Sequence, residues 1–392
     1  MRIGVDASCW ANRRGYGRFA REIISSMATI APDDEFVCFL DPLSASTFDL
    51  RSANVRIVNV ALRESPTEAA SADGSRSIMD VLRMSRAVWR EQLDVFFFPS
   101  VYTWFPVSPT LPTVVTIHDA IPERFPALTL PLPRARALWR LKTRLATRQA
   151  KRILTVSEYA ANEVARAHNV PRSRIAVAVE APAAAYTGKR DDAAIAEEAR
   201  RHGLADGDRW FIYVGGFNPH KNLPALIRAH AALAREFADH PPLLLLVGTV
   251  SGDVFHHEQE SIRRMIRDSG TETLVRWTGY VDDEKLRHLQ AGAIALVLPS
   301  ESEGFGLPAV EAAATGTPVI ATSESPLPRL LDGGGIFVRP GDEPGLLAAM
   351  RLMLLDETTR SAMGRQARVR AAALTWPDSA KSALAAIREA AR

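Results

Sequence analysis

Leu298-Pro299-Ser300-Glu301-Ser302-Glu303-Gly304-Phe305-Gly306-Leu307-Pro308-Ala309-Val310-Glu311 is the stretch on which the reading of this 392-residue chain turns. The apolar run Ala293 to Leu298 predicts a buried strand, and Leu307 to Thr315 predicts a helix. The turn between them sits at the carboxyl end of a strand and opens a helix, where ligands bind in open α/β sheets. The first N–H groups of a helix lack partners and draw anions, phosphates above all. Gly304 and Gly306 let the backbone approach a ligand closely. Glu303 in the loop and Glu311 inside the helix are expected to face one crevice. A carboxylate beside a phosphate repels it, so two of them suit hydroxyl groups better, such as those of a ribose and a sugar.

Outward from this stretch, short apolar runs alternate with helical segments, the pattern of parallel sheets covered on both faces. Strands are predicted at Arg2–Ala7, Glu35–Leu40, Val55–Val60, Val95–Phe98, Thr113–Ile117, Arg152–Val156 and Ile175–Val179. A second series follows at Trp210–Val214, Leu243–Val247, Val275–Thr278, Ala293–Leu298, Pro318–Ala321 and Gly335–Val338. The Ala- and charge-rich stretch Glu180 to Asp208 separates them, with a linker expected near Pro182–Lys189. Arg63–Ser77 reads as a polar loop. A chain of this length is comfortable as two domains.

The turn, its two acids and the following Ala312-Ala313-Ala314-Thr315-Gly316-Thr317-Pro318-Val319-Ile320 resemble the Glu-x7-Glu signature of the retaining family-4 glycosyltransferases. That resemblance implies the α/β GT-B fold, two doubly wound Rossmann-like domains facing each other across a cleft. It implies an acceptor-side domain over 1–185, a nucleotide-sugar domain over 186–375, and a terminal helix over 376–392 that crosses back. It further implies that Glu303 contacts the donor sugar near the anomeric centre and Glu311 holds the ribose hydroxyls. The backbone of Gly304, Phe305, Gly306 and Leu307 would meet the phosphates.

Phe211 to Leu223 reads as a strand, a Gly-rich turn and a helix start. A lysine at such a turn meets a diphosphate as a flexible point charge. By resemblance Lys221 takes this role. The family pattern also has an arginine beside the first glycine, where this chain has Gly216. One cation is therefore missing, and His220, Asn218 or an arginine from elsewhere is left to compensate. Gly15-Tyr16-Gly17-Arg18-Phe19-Ala20 lies too far after its strand for a dinucleotide fingerprint. It resembles instead a family loop near the donor phosphates, which makes Gly17 a donor contact. Arg18 stays open between that role and a solvated arginine. His118, at the end of the strand Thr113–Ile117, is implied as a second catalytic residue near the transferred sugar, with Asp119 orienting it or capping the next turn. Val281, in Trp277-Thr278-Gly279-Tyr280-Val281, falls beside the base. Tyr102 and Trp104 follow the fourth strand and are acceptor-side candidates, although a packed loop is the preferred reading.

Hydrophobic content of 47% and charged content of 24% are ordinary for a globular protein, and the net charge is +3. Cys9 and Cys38 read as buried thiols with no metal or disulfide spacing, which fits a reducing cytoplasm. The chain enters a strand at once, so no leader peptide is expected. No apolar run reaches the roughly 18 to 20 residues of a membrane span. Arg124 to Ser157 holds no acidic residue. Leu138, Leu141 and Leu145 recur there at helical spacing among many arginines, predicting a basic amphipathic helix over 134–152. It reads either as a helix on an anionic membrane surface or as a solvated helix with one core-facing stripe. Nucleic acid is disfavoured for want of a motif. Asp206-Gly207-Asp208 has metal-transferase spacing but precedes its strand, so no catalytic metal is expected.

The combined expectation is a metal-independent glycosyltransferase of polysaccharide assembly, cytoplasmic or peripheral on the inner membrane face. It would move a sugar from a nucleotide-diphosphate donor, with GDP-mannose preferred, to a glycan or lipid-linked hydroxyl. The rivals are a nucleotide-sugar epimerase or another GT-B enzyme, and a membrane-surface binding protein on the same scaffold.

Overall fold

The computed structural model describes residues 1–12, 15–66, 77–248 and 256–392, with the side chains of residues 256 and 257 excepted. The core of the predicted loop Arg63–Ser77, residues 67–76, lies outside these residues.

The chain divides into two compact units, Met1–Glu180 with Thr375–Arg392, and Ala181–Leu374. In the first, β1 (Arg2–Asp6), β2 (Glu35–Leu40), β3 (Val55–Asn59), β4 (Val95–Phe98), β5 (Thr113–Thr116), β6 (Arg152–Thr155) and β7 (Ile175–Val177) form one sheet. Its order is β3-β2-β1-β4-β5-β6-β7, and every pairing is parallel. The inner strands read as apolar runs because helices cover both faces, whereas the edge strand β3 is only partly buried. Phe36, Phe39, Phe96, Phe97 and Phe98 are fully buried. On one face the helices Ile78–Trp89, Pro133–Gln149 and Glu158–His168 pack through Met84, Val88, Ala146, Ala161 and Val164 into one core. The last helix, Trp376–Ala391, packs on the helix Gly15–Ile30 and on β4 to β7.

The second unit holds β8 (Trp210–Val214), β9 (Leu243–Val247), β10 (Val275–Gly279), β11 (Leu296–Leu298), β12 (Val319–Thr322) and β13 (Gly335–Val338). They run parallel in the order β10-β9-β8-β11-β12-β13. The chain winds one way from β8 to β10 and the other way from β11 to β13. The loops after β8 and β11 therefore leave adjacent strands in opposite directions and open a crevice. The suggested linker at 182–189 is not a free tether. Its residues 184–187 form a turn of 3-10 helix, Tyr186 is buried, and its hydroxyl donates to Asp283 Oδ1 at 2.9 Å.

Candidate active site

The crevice between β8 and β11 gathers the residues of both glycine turns. After β8, the chain turns through Gly215, whose φ is 156°, and Gly216. The buried Tyr213 hydroxyl donates to the Gly216 carbonyl and braces this turn from below. A Cβ on Gly216 would stand 2.6 Å from Asn218 Oδ1. Asn218 would have to shift to admit a larger residue at 216. Asn222, at φ 52°, then starts the helix Leu223–Glu236.

Lys221 Nζ lies 2.8 Å from Glu303 Oε1, and Ser300 Oγ donates to the same oxygen at 2.6 Å. The side chains of Lys221 and Glu303 are 20% and 9% exposed, so this ion pair is largely desolvated. The Glu301 N–H donates to the His220 carbonyl at 2.8 Å, tying the two turns together. The Glu303 N–H donates to the Glu324 carbonyl at 3.0 Å. Burial, and then the charge of Lys221, lowers the His220 pKa to about 3, and its Nδ1 is buried without a partner. Burial first, and Glu303 second, raise the Tyr213 pKa well above its ordinary value.

The helix after the second turn runs Leu307–Ala314. Gly306 precedes it at φ 87°, and a Cβ there would meet Leu327 Cδ1 at 2.8 Å. Only glycine suits that backbone and that space. Every residue of Leu307–Ala314 but Pro308 is buried, Glu311 among them at 4% exposure. A carboxylate inside an otherwise apolar helix is costly to keep and marks a site rather than a surface. Phe305 is buried at the turn, and Gly304 lies beside it. Val281 is buried just after β10, while Tyr280 beside it is 54% exposed.

In the first unit, His118 follows β5, half-buried, with the Phe19 ring edge-on at 5.0 Å. Both of its ring nitrogens are buried without a hydrogen-bond partner, and burial lowers its pKa to about 4. It is a neutral imidazole at physiological pH. Asp119 Oδ1 accepts the Ile121 N–H at 2.9 Å, a local turn ahead of the helix Ile121–Arg124, whose cap position is Ala120. Gly17 lies in the first turn of the helix Gly15–Ile30 rather than in a loop. A Cβ there would stand 2.1 Å from the Asn12 carbonyl, so internal packing alone demands glycine. Arg18 is half-buried on the same turn.

Two expectations are corrected. Trp104 is not an exposed acceptor-side aromatic: it is 8% exposed and packs in the core with Phe98 and Phe105. The half-buried ring in that loop is Tyr102, stacked on Tyr16 at 5.3 Å and tilted against Trp139 at 5.0 Å. The second correction concerns the basic helix. Leu138, Leu141 and Leu145 do not face the core: they are 52%, 55% and 43% exposed. The buried side is Thr143, Ala146 and Thr147. Arg134, Arg140, Arg144 and Arg148 are exposed with the leucines, and the helix carries no acid.

Asp206 and Asp208 are occupied locally, Asp206 with Arg200 at 3.0 Å and Asp208 with the Ala205 N–H at 2.7 Å. Among the described residues no group of three or more His, Cys, Asp or Glu is arranged to hold a metal, and no helix is long and apolar enough to cross a membrane. Cys9 and Cys38 are both buried and free.

Two family models match the chain: "Glycosyl transferases group 1" over residues 194–370 and "Glycosyltransferase Family 4" over residues 36–178. O-antigen chain mannosyltransferase B of Escherichia coli is 31% identical over 228 residues, 58% of this chain and 58% of that protein. O-antigen chain mannosyltransferase RfbU of Salmonella typhimurium is 26% identical over 237 residues, 60% of this chain and 59% of that one. The chain thus matches less than two thirds of the length of these relatives. Among solved structures, sucrose-phosphate synthase from Thermosynechococcus elongatus superposes with a TM-score of 0.76 at 18% identity, over 99% of this chain and 98% of that one. The Anabaena protein HepE, in complex with UDP and glucose, gives 0.74 at 16% identity over 99% of both chains. At these identities the likeness is one of fold.

Proposed function

Because the chain belongs to the family-4 glycosyltransferases and has their GT-B fold, we propose that it transfers a sugar from a nucleotide-diphosphate donor to a glycan or lipid-linked hydroxyl. The donor we favour is GDP-mannose, a choice supported by the names of the O-antigen mannosyltransferase relatives. The observation that carries the proposal is the crevice of the second unit. There Lys221, Glu303 and the amino end of the helix bearing Glu311 lie on the loops of two adjacent parallel strands.

In this reading the diphosphate meets Lys221 and the backbone N–H groups of Gly304–Leu307, where a helix amino end favours anions. Preorganised charge of this kind stabilises a leaving diphosphate in a desolvated site. Glu311 accepts the ribose hydroxyls and Glu303 a hydroxyl of the sugar near the anomeric carbon. Val281 lies by the base. His118 accepts from or donates to a substrate hydroxyl as a neutral imidazole, the state that its burial enforces. Transfer is read as retaining and metal-independent, with Lys221 and backbone dipoles in place of a metal ion.

We place the reaction at the inner face of a membrane. The exposed leucines of the helix Pro133–Gln149, set among four exposed arginines, suit an anionic lipid surface. Each basic residue near such a surface contributes roughly 1 kcal/mol.

Calorimetric titration of GDP, UDP, ADP and dTDP in EDTA, followed by their sugar conjugates, tests the donor site. Micromolar-range binding of one nucleotide without metal is expected, and Glu311→Ala should weaken it at least about tenfold, the loss of a charged hydrogen-bond acceptor. No binding by any of the four would remove the proposal and leave the membrane-surface protein. Interconversion of free nucleotide sugars without an acceptor would favour an epimerase.

A further inference from the structure

We propose that Ser300 is a positioning residue that holds Glu303 for the sugar while the donor diphosphate takes Lys221 away. The inference rests on the donor site proposed above and goes beyond it by adding Ser300 and an order of events.

Three observations carry it. First, Lys221 Nζ and Ser300 Oγ both donate to Glu303 Oε1, at 2.8 and 2.6 Å. Neither engages Oε2, which is left for another donor. Second, Ser300 has no solvent exposure, so water does not compete for its hydroxyl. A short hydrogen bond from a buried hydroxyl to a carboxylate is among the stronger kinds. Third, the hydroxyl does not make the local turn to its own backbone that serines at strand ends commonly make. It spans three residues to a carboxylate instead.

Without donor, the charges of Lys221 and Glu303 offset each other in a poorly solvated place, and each needs the other. A diphosphate carries more negative charge than one carboxylate and draws Lys221 to itself. Glu303 would then be a buried carboxylate stripped of its cation. The Ser300 hydroxyl is the contact that stays. It keeps Oε1 fixed and leaves Oε2 directed by a held carboxylate, ready to accept a hydroxyl of the sugar. The diphosphate and sugar subsites are thereby coupled through one side chain: the phosphate end releases the acid that the sugar end uses.

The test compares the affinity of a nucleotide with that of its sugar conjugate in the full chain, by calorimetry with GDP and GDP-mannose and with UDP and UDP-glucose. The ratio of the two affinities reports the sugar contact and is insensitive to general loosening of the protein. In Ser300→Ala the ratio should fall about tenfold, the loss expected for one hydrogen bond to a charged group. Ser300→Thr, which keeps the hydroxyl, should retain it. Glu303→Ala should lose the same factor, and Ser300→Ala/Glu303→Ala should lose no more than Glu303→Ala alone, because the two act through one contact.

An unchanged ratio in Ser300→Ala would overturn the proposal, as would a loss that adds to that of Glu303→Ala. A parent protein that binds nucleotide with no gain from the sugar would overturn it too. Those outcomes leave the donor site standing. Failure of the parent to bind any nucleotide removes the donor site and this inference together.

Discussion

At the scale of single residues, two histidines carry a measurable signature. His118 and His220 bind protons at about 4 and about 3, against an ordinary 6.5, because burial disfavours the imidazolium and, for His220, Lys221 adds repulsion. Below pH 6.5 the unfolded chain holds more protons than the folded one, so stability falls as pH drops from 6.5 towards those values. Above 6.5 the two contribute nothing to the slope. Each histidine supplies at most about 1.4 kcal/mol per pH unit in that window. Urea midpoints measured between pH 7 and pH 5 should therefore drop for the parent, and drop less for His118→Gln. Equal slopes would mean that the imidazole is accessible to water and not held neutral. The same burial explains why neither ring serves as a cation for a phosphate. Lys221 then stands as the charged donor that the β8 turn brings to the crevice.

At the scale of elements, all thirteen predicted strands appear, because a strand buried on both faces writes itself as a compact apolar run. Two are clearly shortened: β7 ends at Val177 rather than Val179, and β11 starts at Leu296 rather than Ala293. Ala293 and Ile294 are equally apolar, but they belong to the turn after the helix Asp283–Gly292. The glycine turns were legible because φ above zero and close packing admit little else. What was not legible was which face of a helix turns inward. In Pro133–Gln149 the core side is built from Thr143, Ala146 and Thr147, small residues that let the helix lie close to the sheet, and the leucines are left outside. Periodicity shows that a stripe exists, but not which of two stripes meets the sheet. This inversion sets a prediction. Leu138→Ser/Leu141→Ser/Leu145→Ser should leave thermal stability within about 0.5 kcal/mol of the parent, as for exposed positions. It should lower binding to vesicles of anionic phospholipid at least about tenfold, since each leucine loses apolar burial. Binding by the parent should weaken as salt rises. Vesicle binding that survives the triple substitution would remove this helix as the membrane contact.

At the scale of the whole molecule, sequence order and structural unit part company at the carboxyl end. The helix Trp376–Ala391 follows the second unit in sequence but belongs to the first. Trp376, Leu384 and Ile387 are buried there, and the Trp376 ring lies 6.2 Å from that of Phe19. Arg388 pairs with Asp34 at 2.9 Å, and Asp34 holds the amino terminus at the same distance. The two ends of the chain thus close on one carboxylate. Three large buried side chains stabilise by roughly 1.5 to 3 kcal/mol each. That sum is comparable to the whole stability of a domain, about 5 to 15 kcal/mol. A chain ended at Leu374 should therefore lose the first unit and keep the second, whose sheet, core and β8–β11 crevice contain none of the removed residues. Hydrogen exchange should show the amides of β4 to β7 losing protection while those of β8, β9 and β11 keep theirs. Nucleotide binding, where the parent has it, should persist in so far as the second unit alone supplies it. Retained protection in β4 to β7 would mean that the first sheet is stable without its final helix. Loss of protection in β8 and β11 would mean that the two cores unfold as one cooperative body.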